Sequence, residues 1–401
     1  MPVNKISSTD VELGMYVANL DRPWSETPFL FQGFEVHSQN EIDEIQKFSK
    51  HVYIMVPDEE IDIKKPSSNH EDTIKSSNIL NKVNYETVVS AEKEVIAVRH
   101  SHENISTLIT EVESLIENQS VLRIEDIEQP VKVMVKSIAS NPDAYLWLTR
   151  IRKFDSFIYK DSLSCAVWAT ALGRKMGMKE ADLQTLAMGC MLMDVGKLTL
   201  PTELLHKQGR LDHDEWEQMK SHVELGLSIL EAESGCSSEI LDIVRTHHER
   251  LNGSGFPAGL HGNQIPLFGQ IAGIVDFYVA ITTPRPFAKV LSPSQAEQML
   301  YEQKDKYFNE MLVEYFIQAL SVYPTGSLVE LNTGEVAIVF AQNESLHLKP
   351  DVVLLLNKDK QPYSAYTVIR LANYSDNDKP VMITKTLKDG EYGVNIDELS
   401  L

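Results

Sequence analysis

Met193-Asp194-Val195-Gly196-Lys197, Lys220-Ser221-His222, His247-His248-Glu249-Arg250-Leu251-Asn252-Gly253-Ser254-Gly255-Phe256-Pro257 and Asp276 decide how this chain is read. Asp194 and His222 lie 28 residues apart, His222 and His247 25, and His248 and Asp276 28. At that spacing no two groups share a helix. They meet only where several helices point inward at one place, as helix bundles do when they build metal sites. Imidazole nitrogen with carboxylate oxygen suits iron, manganese, zinc or nickel better than calcium.

Each residue also has a plainer reading. A lone histidine such as His222 is more often a surface or satisfied core residue than a ligand. Asp194 has the composition of a helix cap ahead of Gly196. Adjacent His247 and His248 point about 100° apart on a helix, so a site using both needs a wide cluster. Asp276 is different. It lies in the apolar run Ile271 to Ile281, and an unpaired carboxylate buried there costs several kcal/mol, so it needs a partner or a metal.

Working outward, residues 86–323 read as helical almost throughout, with helices over 161–178, 180–192, 213–231, 238–248 and 293–320. Pro201, Gly209, Gly253, Gly255 and Pro257 punctuate them. Residues 1–60 read as a small β-rich domain, with strands at Leu13 to Val17 and Val52 to Val56, a short apolar run at Phe29 to Phe34 and a helix at Gln39 to Ser49. Residues 61–85 form a polar linker. Residues 324–401 form a β appendage, opened by a hairpin around Asn332-Thr333-Gly334 and continued by strands at Val352 to Leu356 and Ser364 to Leu371. The fold class is therefore mainly α, a helical bundle with a β unit at each end. The amphipathic stretch 86–120 serves either as a packed bundle helix or as a homodimer helix.

Composition narrows the function. The chain has 401 residues and a net charge of −21, so it presents no global basic face and a nucleic acid polymer is a poor partner. An anionic nucleotide would need local cations or metal. No window is apolar enough to span a membrane, and residues 1–10 carry no secretory signal, which points to the cytoplasm. Cys165, Cys190 and Cys236 have no paired spacing and read as reduced thiols, mostly buried.

The motif string resembles the HD-GYP subgroup of the HD-superfamily phosphohydrolases. The match includes Leu205-His206-Lys207-Gln208-Gly209-Arg210-Leu211, Ile265-Pro266 and Arg285-Pro286-Phe287, and covers residues 150–300. Residues 3–60, with Leu20-Asp21-Arg22-Pro23-Trp24, resemble an uncharacterised domain that often precedes such modules. The resemblance implies an HD-type bundle and metal-dependent hydrolysis of cyclic di-GMP to pGpG or GMP. It implies one metal on Asp194, His222, His247 and His248, and a second shared by Asp194 and Asp276 with two further histidines. Those two positions hold Met193 and Asp161. A thioether is a poor ligand for a hard cation, whereas Asp161 offers a substitute carboxylate.

The expectation is one intact and one degenerate metal pocket, filled by iron or manganese ahead of zinc or nickel. Asp194 and Lys197 would carry the chemistry, and Arg285 and Lys197 would meet phosphate. Three functions follow from the resemblance: an active cyclic di-GMP phosphodiesterase, a non-catalytic module binding the nucleotide or a protein such as a diguanylate cyclase, and an HD hydrolase for another nucleotide. The Gly-Ser-Gly-Phe-Pro loop and Arg285-Pro286-Phe287 speak against the third.

Overall fold

The structure is a computed structural model. It describes residues 3–13, 15–21, 34–36, 39–55, 82–117, 124–151, 157–207, 209–232, 235–283, 290–343, 345–363, 365–376 and 379–396. Most of the expected linker, residues 61–81, and most of the Phe29 to Phe34 run lie outside the described residues, as does the Arg285-Pro286-Phe287 segment; Val83 and Tyr85 of the remaining stretch bond to the carbonyls of Gly177 and Met178. The chain divides into two units, Met1–Ser68 and Asn69–Leu401.

In the first unit, strands β1 (Val3–Ser7), β2 (Tyr16–Leu20), β3 (Phe34–Glu35) and β4 (His51–Met55) form an antiparallel sheet in the order β1-β4-β2-β3. Helix α1 (Gln39–Phe48) closes a core of Val11, Val17, Val36, Ile42, Ile45 and Val52. One Asp21 oxygen accepts the backbone N–H of Lys50 at 2.9 Å and of His51 at 3.0 Å, which fixes the entry into β4.

The second unit is a helical bundle with a sheet at its C-terminal end. Its long helices are α2 (Ala91–Glu117), α3 (Ile124–Ser140), α4 (Pro142–Ile151), α5 (Phe157–Met176) and α6 (Glu180–Leu192). Every residue of α6 from Leu186 to Leu192 is buried. A helix apolar on all sides belongs at the centre of a bundle, and small residues let its neighbours approach. A Cβ on Gly189 would stand 2.2 Å from the Ile243 side chain, and one on Gly173 2.5 Å from that of Leu183. Helix α2 packs inside the chain against α4, where Tyr145 Oη is 3.2 Å from Ser101 Oγ and the His102 and Tyr145 rings lie 5.8 Å apart.

After α6 come α7 (Thr202–Leu205), α8 (His213–Lys220), α9 (His222–Glu231), α10 (Ser238–Thr246), α11 (Leu267–Thr282), α12 (Pro293–Glu302) and α13 (Glu310–Leu320). Two helices expected as continuous are broken. The 213–231 stretch divides at Ser221, because α8 buries no residue while α9 buries His222, Val223, Gly226 and Leu230. The 293–320 stretch divides at 303–309, where Asp305 turns left-handed (φ 60°) and the Asn309 side chain caps α13.

The C-terminal sheet runs β9-β5-β6-β7-β8, all antiparallel, from β5 (Leu328–Leu331), β6 (Val336–Ala341), β7 (Asp351–Leu356), β8 (Val368–Arg370) and β9 (Ile383–Thr386). The expected hairpin joins β5 to β6, with Gly334 at φ 87° in its turn. Asp143 at the start of α4 fastens sheet to bundle. Its carboxyl accepts Thr325 Oγ1 at 2.6 Å and the Gln342 N–H at 2.9 Å, and burial pushes its pKa up.

Glu297 on α12 supplies a pH test. Its Oε1 is buried and has no hydrogen-bond partner among the described residues, and burial pushes its pKa up to about 8. The native state therefore keeps this proton to higher pH than the unfolded chain, which titrates near 4.5. Stability linked to Glu297 is full below that value and is lost as pH rises toward 8. Melting curves of Glu297→Gln and the parent are expected to agree near pH 5. At pH 9 they should separate by about 1–3 kcal/mol in favour of the variant, the part-exposed side chain reducing the full linkage value.

Candidate metal centre

Helix α6 ends at Leu192, and Met193 and Asp194 turn into a 3-10 segment, Val195–Thr199. Asp194 occupies the cap position of that segment but makes no capping hydrogen bond, so its carboxylate is directed elsewhere. Gly196 sets the separation from α9. A Cβ there would lie 2.0 Å from the carbonyl oxygen of His222 and 2.5 Å from the amide nitrogen of Gly226. Only a glycine lets the two backbones approach this closely. Helix α10 ends at Thr246; His247 caps it with helical dihedrals and its N–H on the Ile243 carbonyl, and His248 lies in the turn beyond. Their ring centroids are 4.0 Å apart, so the expected 100° divergence does not apply. Gly273 of α11 crosses against His247, where a Cβ would meet its carbonyl at 2.8 Å.

Asp194, His222, His247 and His248 each present one donor atom to a common point, and the four atoms all lie within 4.8 Å of one another. The proton positions follow from the partners. His222 Nδ1 is 2.7 Å from the carbonyl of Met219, and His247 Nδ1 is 2.8 Å from that of Val244. A carbonyl only accepts, so both Nδ1 atoms carry the proton and a neutral ring points a lone pair out of Nε2. Those Nε2 atoms are 3.5 Å apart. Asp194 Oδ1 lies 3.3 Å from the first and 3.7 Å from the second, is buried, and takes no hydrogen bond among the described residues.

Three electron pairs thus face one another among buried side chains. Tetrahedral ligands about 2.1 Å from an ion stand about 3.4 Å from each other, which the observed separation matches. Metal-bound histidines commonly donate their other N–H to a backbone carbonyl, as both rings do here. The donor set fits a divalent cation.

The electrostatics agree with that arrangement. Burial opposes charge on Asp194, but Lys197 and then the two imidazoles outweigh it and hold its pKa well below the usual carboxylate range. Lys197 Nζ lies 2.7 Å from Asp194 Oδ2, which leaves Oδ1 turned to the histidines. Burial lowers the pKa of His222 and lowers that of His248 further, where His247 and His222 add to the effect. Neutral rings are the form that binds metal.

Asp276 lies at the edge of this group, its Oδ2 3.6 Å from His248 Nδ1. Asp161 is buried on α5 and is not one of the four converging residues. Cys165, one turn along α5, has its thiol pKa raised by burial and then by Asp276, Cys190, Asp161 and Asp194. Met193 is wholly buried. Arg285 lies outside the described residues.

Glu249, which the motif reading leaves without a role of its own, organises the loop that follows. One carboxylate oxygen accepts the Ala258 N–H at 2.7 Å and the other the Leu260 N–H at 2.9 Å. Gly255 passes so close that a Cβ would lie 2.4 Å from the Glu249 Cα. The loop thereby brings Phe256 onto His248, ring on ring at 4.5 Å and 28°. Arg250 braces the same turn, donating to the carbonyls of His247 at 3.0 Å and Glu249 at 2.8 Å. An acidic residue directly before a glycine-rich loop was the available signal.

A sequence profile described as HD domain matches residues 132–312, the segment that holds all four converging residues. This chain carries an HD domain. A second profile, a domain of unknown function (DUF3391), matches residues 3–128. The chain is similar to the cyclic di-GMP phosphodiesterase PA4108 of Pseudomonas aeruginosa, 25% identical over 94% of this chain and 91% of the relative. It is 31% identical to the 3'3'-cGAMP-specific phosphodiesterase 2 of Vibrio cholerae over 48% of this chain, but spans 35% of that relative. Among solved structures it is similar to Bd1817, an HDG"Y"P protein from Bdellovibrio bacteriovorus, with 16% identity and a TM-score of 0.49 over 80% of this chain and 99% of that one. No helix among the described residues of this HD-domain protein is long and apolar enough to cross a membrane.

Two outcomes follow for the HD domain. Gly196→Ala should cost about 3 kcal/mol, because the backbone atoms it would strike cannot step aside. It should also weaken Mn²⁺ binding by at least about tenfold, measured by calorimetry. Mn²⁺ at a hundred times its Kd should stabilise the parent by about 2.7 kcal/mol, read as a rise in melting temperature that His222→Ala abolishes.

Proposed function

We propose that this chain is a cyclic di-GMP signalling protein whose HD domain holds one divalent cation well and a second poorly, with weak or lost phosphodiesterase activity. The observation that carries this reading is the convergence of Asp194, His222, His247 and His248 while the preceding position, Met193, is a buried thioether. Similarity to the PA4108 enzyme along 91% of its length supports cyclic di-GMP as the nucleotide. Three nitrogens and one oxygen suit iron, manganese, zinc or nickel, and the resemblance to the HD-GYP subgroup favours iron or manganese among them.

A bound cation supplies hydroxide near neutral pH and stabilises charge on phosphate oxygens. The rest of the proposed chemistry belongs to the chain. Asp194 and the three histidines hold the cation, and Lys197 neutralises and orients Asp194. Asp276 sits beside His248, where it contributes to the second position together with Asp161. Arg285 contacts phosphate. Loss of a strong second ligand at Met193 removes part of the charge stabilisation. About 4 kcal/mol of it corresponds to about a thousandfold in rate. The same buried methionine favours a second reading, a module that binds the nucleotide or a cyclase without cleaving it.

Metal analysis and a cleavage assay test the proposal. After loading with Fe²⁺ or Mn²⁺, the parent should retain about one equivalent and produce pGpG slowly or not at all. Met193→His should raise both retained metal and turnover. Two tightly held equivalents in the parent, with brisk turnover abolished by Asp194→Ala, would instead make it a fully competent phosphodiesterase.

A further inference from the structure

Helix α8 contains no buried residue, yet it carries Trp216, whose surface is 46% exposed. The helix is held by polar contacts at its start. Asp212 and Glu215 form a reciprocal cap, and Lys207 pairs with Glu215. About half of the indole is thus open to solvent, where a flat ring can stack on it.

Trp216 heads an unbroken series of rings that ends at the converging histidines. It meets Phe256 edge-on at 6.1 Å and 80°. Phe256 stacks on His248 at 4.5 Å, and His248 lies 4.0 Å from His247. Lys220, one turn beyond Trp216, places Nζ 5.9 Å from the centre of the Phe256 ring, with Glu217 2.7 Å from that ammonium. Phe256 is only partly buried. The rim of the site thus offers aromatic surface and a cation within two ring steps of a candidate metal ligand.

We infer that Trp216 and Phe256 form the subsite for a purine base of the nucleotide whose phosphate lies at the histidine cluster, with Lys220 at its edge. The inference rests on the cyclic di-GMP reading above. A heteroaromatic base is the part of such a ligand that stacks on indole and phenyl faces. The phosphodiester stays with the cation-binding residues. Base stacking on an aromatic side chain is strong enough for its removal to weaken binding about tenfold or more. The subsite reads purine shape and leaves the phosphate chemistry unchanged.

Calorimetric titration of the Mn²⁺-loaded full chain with cyclic di-GMP tests this, with ribose 5-phosphate as a base-free probe. Trp216→Ala should raise the Kd for cyclic di-GMP about tenfold or more, and Trp216→Phe should restore most of the loss. Affinity for ribose 5-phosphate, Mn²⁺ content and melting temperature should stay near the parent values. Unchanged affinity for cyclic di-GMP in Trp216→Ala overturns the subsite and leaves the proposed function standing. An equal loss for both probes shows a general structural role and also overturns it. A parent chain that binds no cyclic di-GMP removes the proposed function and the subsite together.

Discussion

Nε2 of His222, Nε2 of His247 and Oδ1 of Asp194 face one another across 3.3–3.7 Å in a buried space. Two backbone carbonyls have taken the protons that the imidazoles would otherwise turn inward. Such an arrangement is repulsive unless positive charge lies at its centre. Lys197 relieves it in part by neutralising the outer oxygen of Asp194. The surrounding structure must hold these groups against their mutual repulsion, and much of the bundle serves that end.

Close backbone approach is the means. Gly196 seats the Asp194 turn on the start of α9, and Gly273 lets α11 cross the His247 carbonyl. The ends of α6 and α10 are brought together by a helix core whose central member is apolar on every side. The histidines then lie just past the end of their helix, where a turn directs neighbouring side chains to the same side.

The sequence made much of this legible. Residues 180–192 were read as a helix and form one, and the hairpin around Gly334 pairs as expected. The mainly α bundle with β units at both ends is the observed architecture. Four of the six proposed metal-ligand positions share one point, while Asp276 stands at its edge beside His248 and Asp161 is not among the four. The break at Ser221 is not legible, because burial alone distinguishes the two segments; the break at 303–309 rests on the left-handed Asp305 and the Asn309 cap, and that cap is the signal the sequence offered. The role of Glu249 was hidden for a related reason. Its partners are backbone amides nine and eleven residues ahead, and no side-chain pattern announces them.

Glu249 also joins two parts of the molecule mechanically. Its Cα belongs to the turn that carries the histidines, while its two oxygens grip the far limb of the glycine-rich loop. The loop that carries Phe256 is thereby tied by two charge-assisted hydrogen bonds to the turn that carries the imidazoles, so the spacing between ring and cation-binding atoms is set within one short stretch of chain.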